Sequence, residues 1–407
     1  MKLKISKEIP EIFGNITITG SKSESNRLLI LQALFENLSI ENISNSDDSH
    51  VMQQALASTD KIVDVHHAGT AMRFLTAYFS VYDGRETLLT GSTRMQERPI
   101  GILVDALRSL GADIEYQKNE GYAPILIKGK KLEMNAVKLA ANVSSQYISA
   151  LMMIGATLPN GLKIELEGKI TSVPYIEMTR ALHTQIGVKS SFEGQIIEVF
   201  KQDLVEKQTL TVESDWSSAS YFYGLVALSR KAKISLSSYK QNSLQGDASL
   251  VKFYEDLGVK TSFKDAKITL EKVENSSIKA INFDLSNSPD IAQTIAVTCY
   301  GLGIGCDLTG LHTLKIKETD RLEALHAELS KLGATLTVTD NSLHLEPATV
   351  YNENITIKTY QDHRMAMAFA PLALKVPILF EDAEVVNKSY PDFWKDFEHL
   401  GFKIEVL

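Results

Sequence analysis

Near the start of the chain, Ile12, Ile16 and Ile18 alternate with polar residues, the two-residue period of a half-buried strand. A little further on, Leu28-Leu29-Ile30-Leu31-Gln32-Ala33-Leu34-Phe35 is apolar nearly all round, which predicts a largely buried helix. Between them lies Gly20-Ser21-Lys22-Ser23-Glu24-Ser25-Asn26-Arg27, where Gly20 suits a turn and Ser23 or Ser25 suits a helix cap. The pattern returns down the chain. Small polar residues open apolar helices at Thr70, Ser144, Ser217, Asp290 and His363, at steps of 74, 73, 73 and 73 residues. A second series runs Leu110-Gly111, Ile186-Gly187, Leu257-Gly258, Leu332-Gly333 and Leu400-Gly401, with the glycines 76, 71, 75 and 68 apart. Glycine just past a last helical turn is the usual C′ residue, so each pair predicts a helix-to-strand junction.

Two interleaved series of one period predict six units of roughly 70 residues, each with two helices and several strands. Helices alternating with strands indicate an α/β fold, and units of this size suit a closed pair of domains better than a solenoid. A chain of 407 residues agrees, since it exceeds one typical core. The first unit is shorter than the rest. Lys22 to Thr70 spans 48 residues, roughly 25 fewer than a full period, and the missing piece should fall around Ala57 to Val65.

The second helix of each unit follows a polar stretch: Ser46-Asp47-Asp48, Arg94 to Pro99, Thr171 to Tyr175, Gly246-Asp247-Ala248, Lys315 to Arg321, and Asn387 to Asp392. Pro99, Pro174 and Pro391 suit a first helical turn. If the helix N-termini of each domain point one way, their dipoles and cations converge on one cleft and draw a ligand with several negative charges. Lys22 and Arg27 fit that picture, flanking backbone N–H groups at a helix start. A nucleotide P-loop is excluded, because five residues separate Gly14 from Gly20 and Ser21 stands where lysine is required. Lys317, Glu318 and Arg321 set a cation, a carboxylate and a guanidinium within about one turn, an arrangement that serves either chemistry or i,i+3 pairing. Asp290 reads as a helix cap or as a base, and His363 beside Asp362 as a cap or a proton carrier. His66-His67 is a poor metal site, because adjacent residues of an extended chain face opposite ways. Gly301-Leu302-Gly303-Ile304-Gly305 precedes a strand and is no dinucleotide fingerprint.

Composition narrows the partners. A net charge of −8 argues against nucleic acid, whose phosphate backbone needs a basic surface, and favours a small anion met by local cations. With 44% hydrophobic and 23% charged residues, no apolar run near 18 residues and no apolar stretch after Met1, the chain reads as cytoplasmic, with no membrane partner. Cys299 and Cys306 are the only cysteines, and both sit in an apolar segment, which predicts reduced core residues and neither disulfide nor metal.

Together these stretches resemble the 3-phosphoshikimate 1-carboxyvinyltransferase (EPSP synthase) family. The likeness runs through Gly20 to Arg27, Ala68 to Arg73, Arg94 to Pro99, Val143 to Gln146, Lys317 to Leu322, Asp362 to Met367 and Lys388 to Asp392, in the family's order and over nearly the whole chain. The resemblance implies two similar domains, each of three βαβαββ units in an inverse α/β barrel, with the first unit shortened here. The N-terminal lobe would cover 21–211 and the C-terminal lobe 1–20 with 212–407, the active site lying in the cleft between them.

The implied reaction joins shikimate 3-phosphate and phosphoenolpyruvate to 5-enolpyruvylshikimate 3-phosphate and phosphate, within aromatic amino acid and chorismate biosynthesis. By resemblance, Lys22, Ser23, Arg27, Ser144, Ser145, Gln146, Ser172, Asp290 and Lys317 hold shikimate 3-phosphate. Lys22, Gly69, Arg94, Gln146, Arg321, Arg364 and Lys388 hold phosphoenolpyruvate. Asp290 takes the proton of the 5-hydroxyl, Glu318 protonates the methylene carbon, and Lys22 assists phosphate departure. Neither cofactor nor metal is required, and the small-molecule substrates are the only partners of an expected monomer. Three departures from the family pattern stand out: His67 replaces its usual asparagine, Thr313 replaces another, and the short first unit lacks a strand pair. Two alternatives are a non-catalytic anion-binding homologue and the related transfer to UDP-N-acetylglucosamine. The latter family uses a cysteine in the loop matching Arg94–Pro99, and none lies there.

Overall fold

The computed structural model describes residues 1–140, 144–168, 170, 173–273 and 280–407. It divides into two units, Met1–Thr19 with Glu213–Leu407, and Gly20–Val212.

In the Gly20–Val212 unit, the helices Lys22–Leu34, Gly69–Val81 and Ser145–Gly155 pack against one another. Nearly every residue of the latter two is buried, as a helix apolar on all faces must be. The sheets lie outside them. One has the order Ile62–Asp64, Glu86–Thr90, Ile125–Lys128, Asp113–Tyr116, and another Ser190–Glu193, Ile196–Val199, Leu162–Glu167, Ala136–Ala140. In each, two neighbouring strands run parallel across a helix and the last two form an antiparallel pair, the βαβαββ pattern expected.

The first unit is cut short where the spacing requires. Among the described residues, its sheet holds only Leu38–Glu41 and Gln208–Thr211, paired in parallel. Helix Asp47–Ala57 is followed directly by strand Ile62–Asp64, with no antiparallel pair between. The first of these two strands in unit order, Gln208–Thr211, thus comes from the far end of the Gly20–Val212 segment. Gly20 is required by contact and not by a turn: a Cβ there would lie 1.9 Å from the Asn42 carbonyl oxygen and 2.7 Å from Val212.

The other unit repeats the plan with helices Trp216–Leu228, Ala292–Leu302 and His363–Phe369 at its centre. Its three sheets each have four strands. The N-terminal segment completes two of them: Glu11–Ile16 lies parallel to Lys231–Ser237, and Leu3–Ser6 lies between Ile378–Phe380 and Lys403–Val406. Ile12 and Ile16 point into one continuous core with Trp216, Phe222 and Phe393. Cys299 and Cys306 are buried and free, as the sequence suggested.

The C′ glycines fall as expected: Gly111, Gly187, Gly258, Gly333 and Gly401 all have φ between 82° and 105°, where a Cβ is unfavourable. The helix starts are less faithful. Ser21, not Ser23 or Ser25, precedes the first helix, and it makes no side-chain cap bond. Ala68, Asp215 and Asp362 occupy the cap positions expected of Thr70, Ser217 and His363, whereas Ser144 does cap its helix by accepting from the Gln146 N–H. Pro174 lies in a first turn. Pro99 instead bridges to Tyr122 ahead of Gly101–Ser109, and Pro391 precedes the Asp392 cap. Among the described residues, no helix is long and apolar enough to cross a membrane.

A buried histidine tests the packing of the Gly20–Val212 unit. His183, on helix Val173–Gln185, is fully buried, and neither ring nitrogen has a hydrogen-bond partner among the described residues. Burial lowers its pKa from 6.5 to about 4. The neutral ring is therefore the folded form, and its contribution is complete above the unfolded pKa and lost as pH falls from 6.5 towards 4. Wild type should lose about 2 kcal/mol more stability between pH 7.5 and 5 than His183→Leu, read by urea denaturation at both pH values. Equal losses would show that the ring is solvated in the fold.

Candidate active site

In the unit containing Glu213–Leu407, four segments deliver charge to one place. Pro289–Ile291 is a single 3-10 turn ahead of helix Ala292–Leu302, so Asp290 is not that helix's cap. Lys317 and Glu318 lie in the bend between the turn His312–Ile316 and helix Arg321–Leu332, whose cap is Asp320. Asp362 caps helix His363–Phe369 by accepting from the Arg364 N–H at 2.9 Å. Lys388 closes the 3-10 turn Ala383–Lys388.

Arg321 is the hub. Its side chain is 2% exposed and donates to three carboxylates: Nη1 to Asp290 Oδ1 at 2.8 Å, Nη2 to Glu318 Oε2 at 2.9 Å, and Nε to Asp362 Oδ2 at 2.7 Å. The i,i+3 pairing allowed by the sequence is therefore real, and it is one arm of a larger network. Lys317 Nζ lies 3.3 Å from Asp290 Oδ1, Arg364 Nη2 lies 3.3 Å from Asp290 Oδ2, and Lys388 Nζ lies 3.1 Å from Glu318 Oε1. Arg364 also donates to the Asp290 carbonyl at 3.1 Å and to Ser217 Oγ at 3.1 Å, and Ser217 in turn donates to Asp247.

The electrostatics follow from this crowding. Burial alone would raise the Asp290 carboxyl, but Lys317, Arg364 and Arg321 override it and hold the group well below the usual carboxylate range. Asp247 has the opposite balance: burial, and then the charge of Asp290, push it up to about 6. Burial disfavours the Arg321 cation, yet Asp362, Glu318 and Asp290 outweigh that and raise its pKa. Lys317, Arg321, Arg364 and Lys388 are thus four cations held around Asp290 and Glu318. Planar guanidinium forks match carboxylate and phosphate oxygens in pairs, and lysines add compact charge.

The Gly20–Val212 unit has its own polar group at helix starts. Lys22 begins helix Lys22–Leu34, with Nζ 3.4 Å from Asp48 Oδ2. Ser23 is half-buried beside it. Gln146 Nε2 donates to Thr70 Oγ1 at 3.1 Å, linking Ser144, Ser145 and Gln146 to the start of Gly69–Val81. Gly69 lies close under two guanidinium groups, since a Cβ there would lie 2.6 Å from Arg98 Nη1 and 3.1 Å from Arg73 Nη1. Arg94 stands on the exposed side, paired only with Glu97 among the described ion pairs. Ser172 lies outside the described residues.

Arg27, at the same helix start, is turned inward. It is 2% exposed, stacked near the Phe74 and Tyr175 rings, and donates to Thr179 Oγ1, Ser149 Oγ and the Ser23 carbonyl at 2.8–2.9 Å. Burial lowers its pKa to about 10. Its present contacts brace the helix start on which Lys22 and Ser23 sit. His67 Nδ1 is 2.9 Å from Ser92 Oγ, and among the described residues no group of three or more His, Cys, Asp or Glu could hold a metal ion.

Sequence reasoning missed several participants. Asp247 and Ser217 were visible only as helix openers, Asp362 only as a neighbour of His363, and Asp48 only as part of an acidic helix start. Arg73 and Arg98 stood within recognised motifs without a role. Their shared approach to Gly69 is the signal that picks them out.

Fold and side chains together define an α/β protein with a cation-rich cluster in which two carboxylates, Asp290 and Glu318, are in reach of a shared arginine. The comparisons narrow this further. The family described as EPSP synthase (3-phosphoshikimate 1-carboxyvinyltransferase) matches residues 51–397. The 3-phosphoshikimate 1-carboxyvinyltransferase of Bacteroides fragilis is 46% identical over 401 residues, covering 97% of each chain, and that of Haemophilus influenzae is 35% identical, covering 96% of this chain and 97% of its own. A solved EPSP synthase from Acinetobacter baumannii superposes with a TM-score of 0.82 at 19% identity over the full length of both chains, a likeness of fold. The chain belongs to the EPSP synthase family.

Proposed function

We infer that this chain transfers the enolpyruvyl group of phosphoenolpyruvate to the 5-hydroxyl of shikimate 3-phosphate, releasing phosphate. Membership of the family supports the reaction. The observation that best supports the assignment of roles is the Arg321 hub, which sets Asp290 and Glu318 on two arms of one guanidinium with Lys317, Arg364 and Lys388 around them.

In this reading Arg321, Arg364 and Lys388, with Gly69, Arg94 and Gln146, hold phosphoenolpyruvate. Ser23, Arg27, Ser144, Ser145, Gln146, Ser172 and Lys317 hold shikimate 3-phosphate, and Lys22 touches both. The 5-hydroxyl oxygen attacks C2 of phosphoenolpyruvate while Asp290 accepts its proton, and Glu318 gives a proton to C3, forming a tetrahedral intermediate. The carbon–oxygen bond to phosphate then breaks, C3 returns its proton to Glu318, the proton held by Asp290 passes to the departing phosphate, and Lys22 stabilises that phosphate. Asp290 is a carboxylate in the ligand-free protein, the state a base needs. Substrate anions that draw away its three cations would raise its proton affinity just when a proton must be taken. Each such proton transfer contributes about 10² to 10⁴-fold, and the fixed cations supply electrostatic stabilisation.

Phosphate release on mixing purified protein with both substrates tests the reading. Turnover requiring both, and no ATP, is expected. Binding of both without turnover would favour a non-catalytic anion-binding homologue. We further propose that the enzyme works as a cytoplasmic monomer without nucleic acid, and sedimentation at assay concentration checks the oligomeric state.

A further inference from the structure

The segment that carries Asp362 and Arg364 into the charged cluster is held in an unfavourable shape. Strand Thr356–Ile357 is followed by a turn from Thr359 to Asp362, closed by the Asp362 N–H donating to the Thr359 carbonyl at 2.9 Å. The two central residues, Tyr360 and Gln361, have φ of +54° and +56°. Two consecutive left-handed residues make a type I′ turn, which glycine, asparagine and aspartate favour and which a Cβ-bearing aromatic or a glutamine disfavours. Local sequence does not choose this turn, so a tertiary contact must.

Glu328 supplies that contact. It lies on helix Arg321–Leu332, two turns after Arg321, and its side chain is fully buried. Oε1 accepts the Tyr360 hydroxyl at 2.6 Å, and Oε2 accepts the Lys358 backbone N–H at 3.1 Å. Lys331 Nζ donates to both oxygens at 2.8 and 2.7 Å, which compensates the buried charge. The carboxylate therefore grips the turn on both its entry strand and its first left-handed residue. The exit of the same turn is Asp362, fully buried, whose two oxygens accept Arg321 Nε and the Arg364 N–H. Helix, Glu328, turn, Asp362 and Arg321 form a closed circuit: one helix fixes the turn at one end and is bound by it at the other.

We propose that Glu328 is a positioning residue for the reaction. It holds the Tyr360–Gln361 turn in its left-handed form and so sets Asp362, Arg321 and Arg364 for phosphoenolpyruvate. This rests on the reading above that Arg321 and Arg364 hold that substrate. The role is separable from stabilising the helix, because relieving the turn should substitute for gripping it.

Steady-state kinetics of the full chain, with each substrate varied in turn, tests this. Glu328→Gln should raise KM for phosphoenolpyruvate about 10-fold with little change in KM for shikimate 3-phosphate, and Tyr360→Phe, which removes one bond and leaves the buried carboxylate paired with Lys331, should do the same to a smaller degree. Adding Gln361→Gly, which lets position 361 take positive φ without strain, should restore most of the loss in either background. A variant that loses melting temperature but keeps wild-type KM for phosphoenolpyruvate overturns the inference, as does failure of Gln361→Gly to rescue Tyr360→Phe. Should Glu328→Gln not fold, the Tyr360→Phe pair decides alone. Absence of turnover in wild type would instead overturn the functional reading, and this inference with it.

Discussion

Asp290→Asn and Glu318→Gln should each lower turnover by at least about 10²-fold while leaving both substrates bound. The reason for the separation lies in charge. Asp290 faces Lys317, Arg321 and Arg364, and Glu318 faces Arg321 and Lys388. Neutralising either carboxylate removes a competitor for those cations, so the local potential becomes more positive and anions should bind as well as before or better. The amides keep shape and hydrogen bonding but can neither take nor give the required proton. Titration of each variant with shikimate 3-phosphate and phosphoenolpyruvate, beside initial rates of phosphate release, measures the two effects independently. A wild-type rate in either variant removes that residue from proton transfer. A loss of binding equal to the loss of rate would make the carboxylate an organiser of the cations and not an acid or base.

The architecture was legible because its period is written in residues with strict backbone demands. Glycine at Gly111, Gly187, Gly258, Gly333 and Gly401 answers a positive φ that few other residues accept, so its spacing survives when the rest of each unit varies. The short first unit was readable for the same reason: no such glycine falls between Asp47–Ala57 and Ile62–Asp64. Helix starts were less legible. A cap is set by one residue's φ and ψ, and Asp215 and Asp362 take that place immediately or two residues before the apolar run that the eye follows. Short 3-10 turns leave no periodic trace, which is why Asp290 looked like a cap when it is an ion-pair partner.

The chemical groups were readable where they form a motif and unreadable where packing brings them together. Lys317, Glu318 and Arg321 are neighbours in sequence, so their association was visible. The link from Arg321 to Asp362 spans 41 residues, that from Arg364 to Asp290 spans 74, and that from Ser217 to Asp247 spans 30. Nothing local specifies them. The inward contacts of Arg27 were unreadable for a related reason: nothing local places Thr179 and Ser149 against a cation at a helix start.

Arg321→Met should cost more stability than any other single change in the cluster, about 3–5 kcal/mol near pH 8. The side chain is 2% exposed and compensates three carboxylates, one of which, Asp362, is fully buried. Methionine fills most of the volume but leaves those charges in a dry site, where water cannot replace the lost donors. The pH dependence gives the sign. In wild type Asp290 is held below its unfolded pKa, so it contributes stability that is present above about pH 4 and is lost in acid. Without Arg321 that depression is weakened, because only Lys317 and Arg364 then hold the Asp290 carboxyl down, so the variant gains less stability than wild type as pH rises out of acid. The deficit against wild type should therefore be larger at pH 6 than at pH 3 in paired denaturant titrations. Arg321→Lys should recover only part of it, because one ammonium cannot span three carboxylates that a guanidinium fork reaches from three nitrogens. A deficit that stays constant with pH would mean that the variant's cost is packing, and that Lys317, Arg364 and Lys388 already neutralise the cluster without its hub.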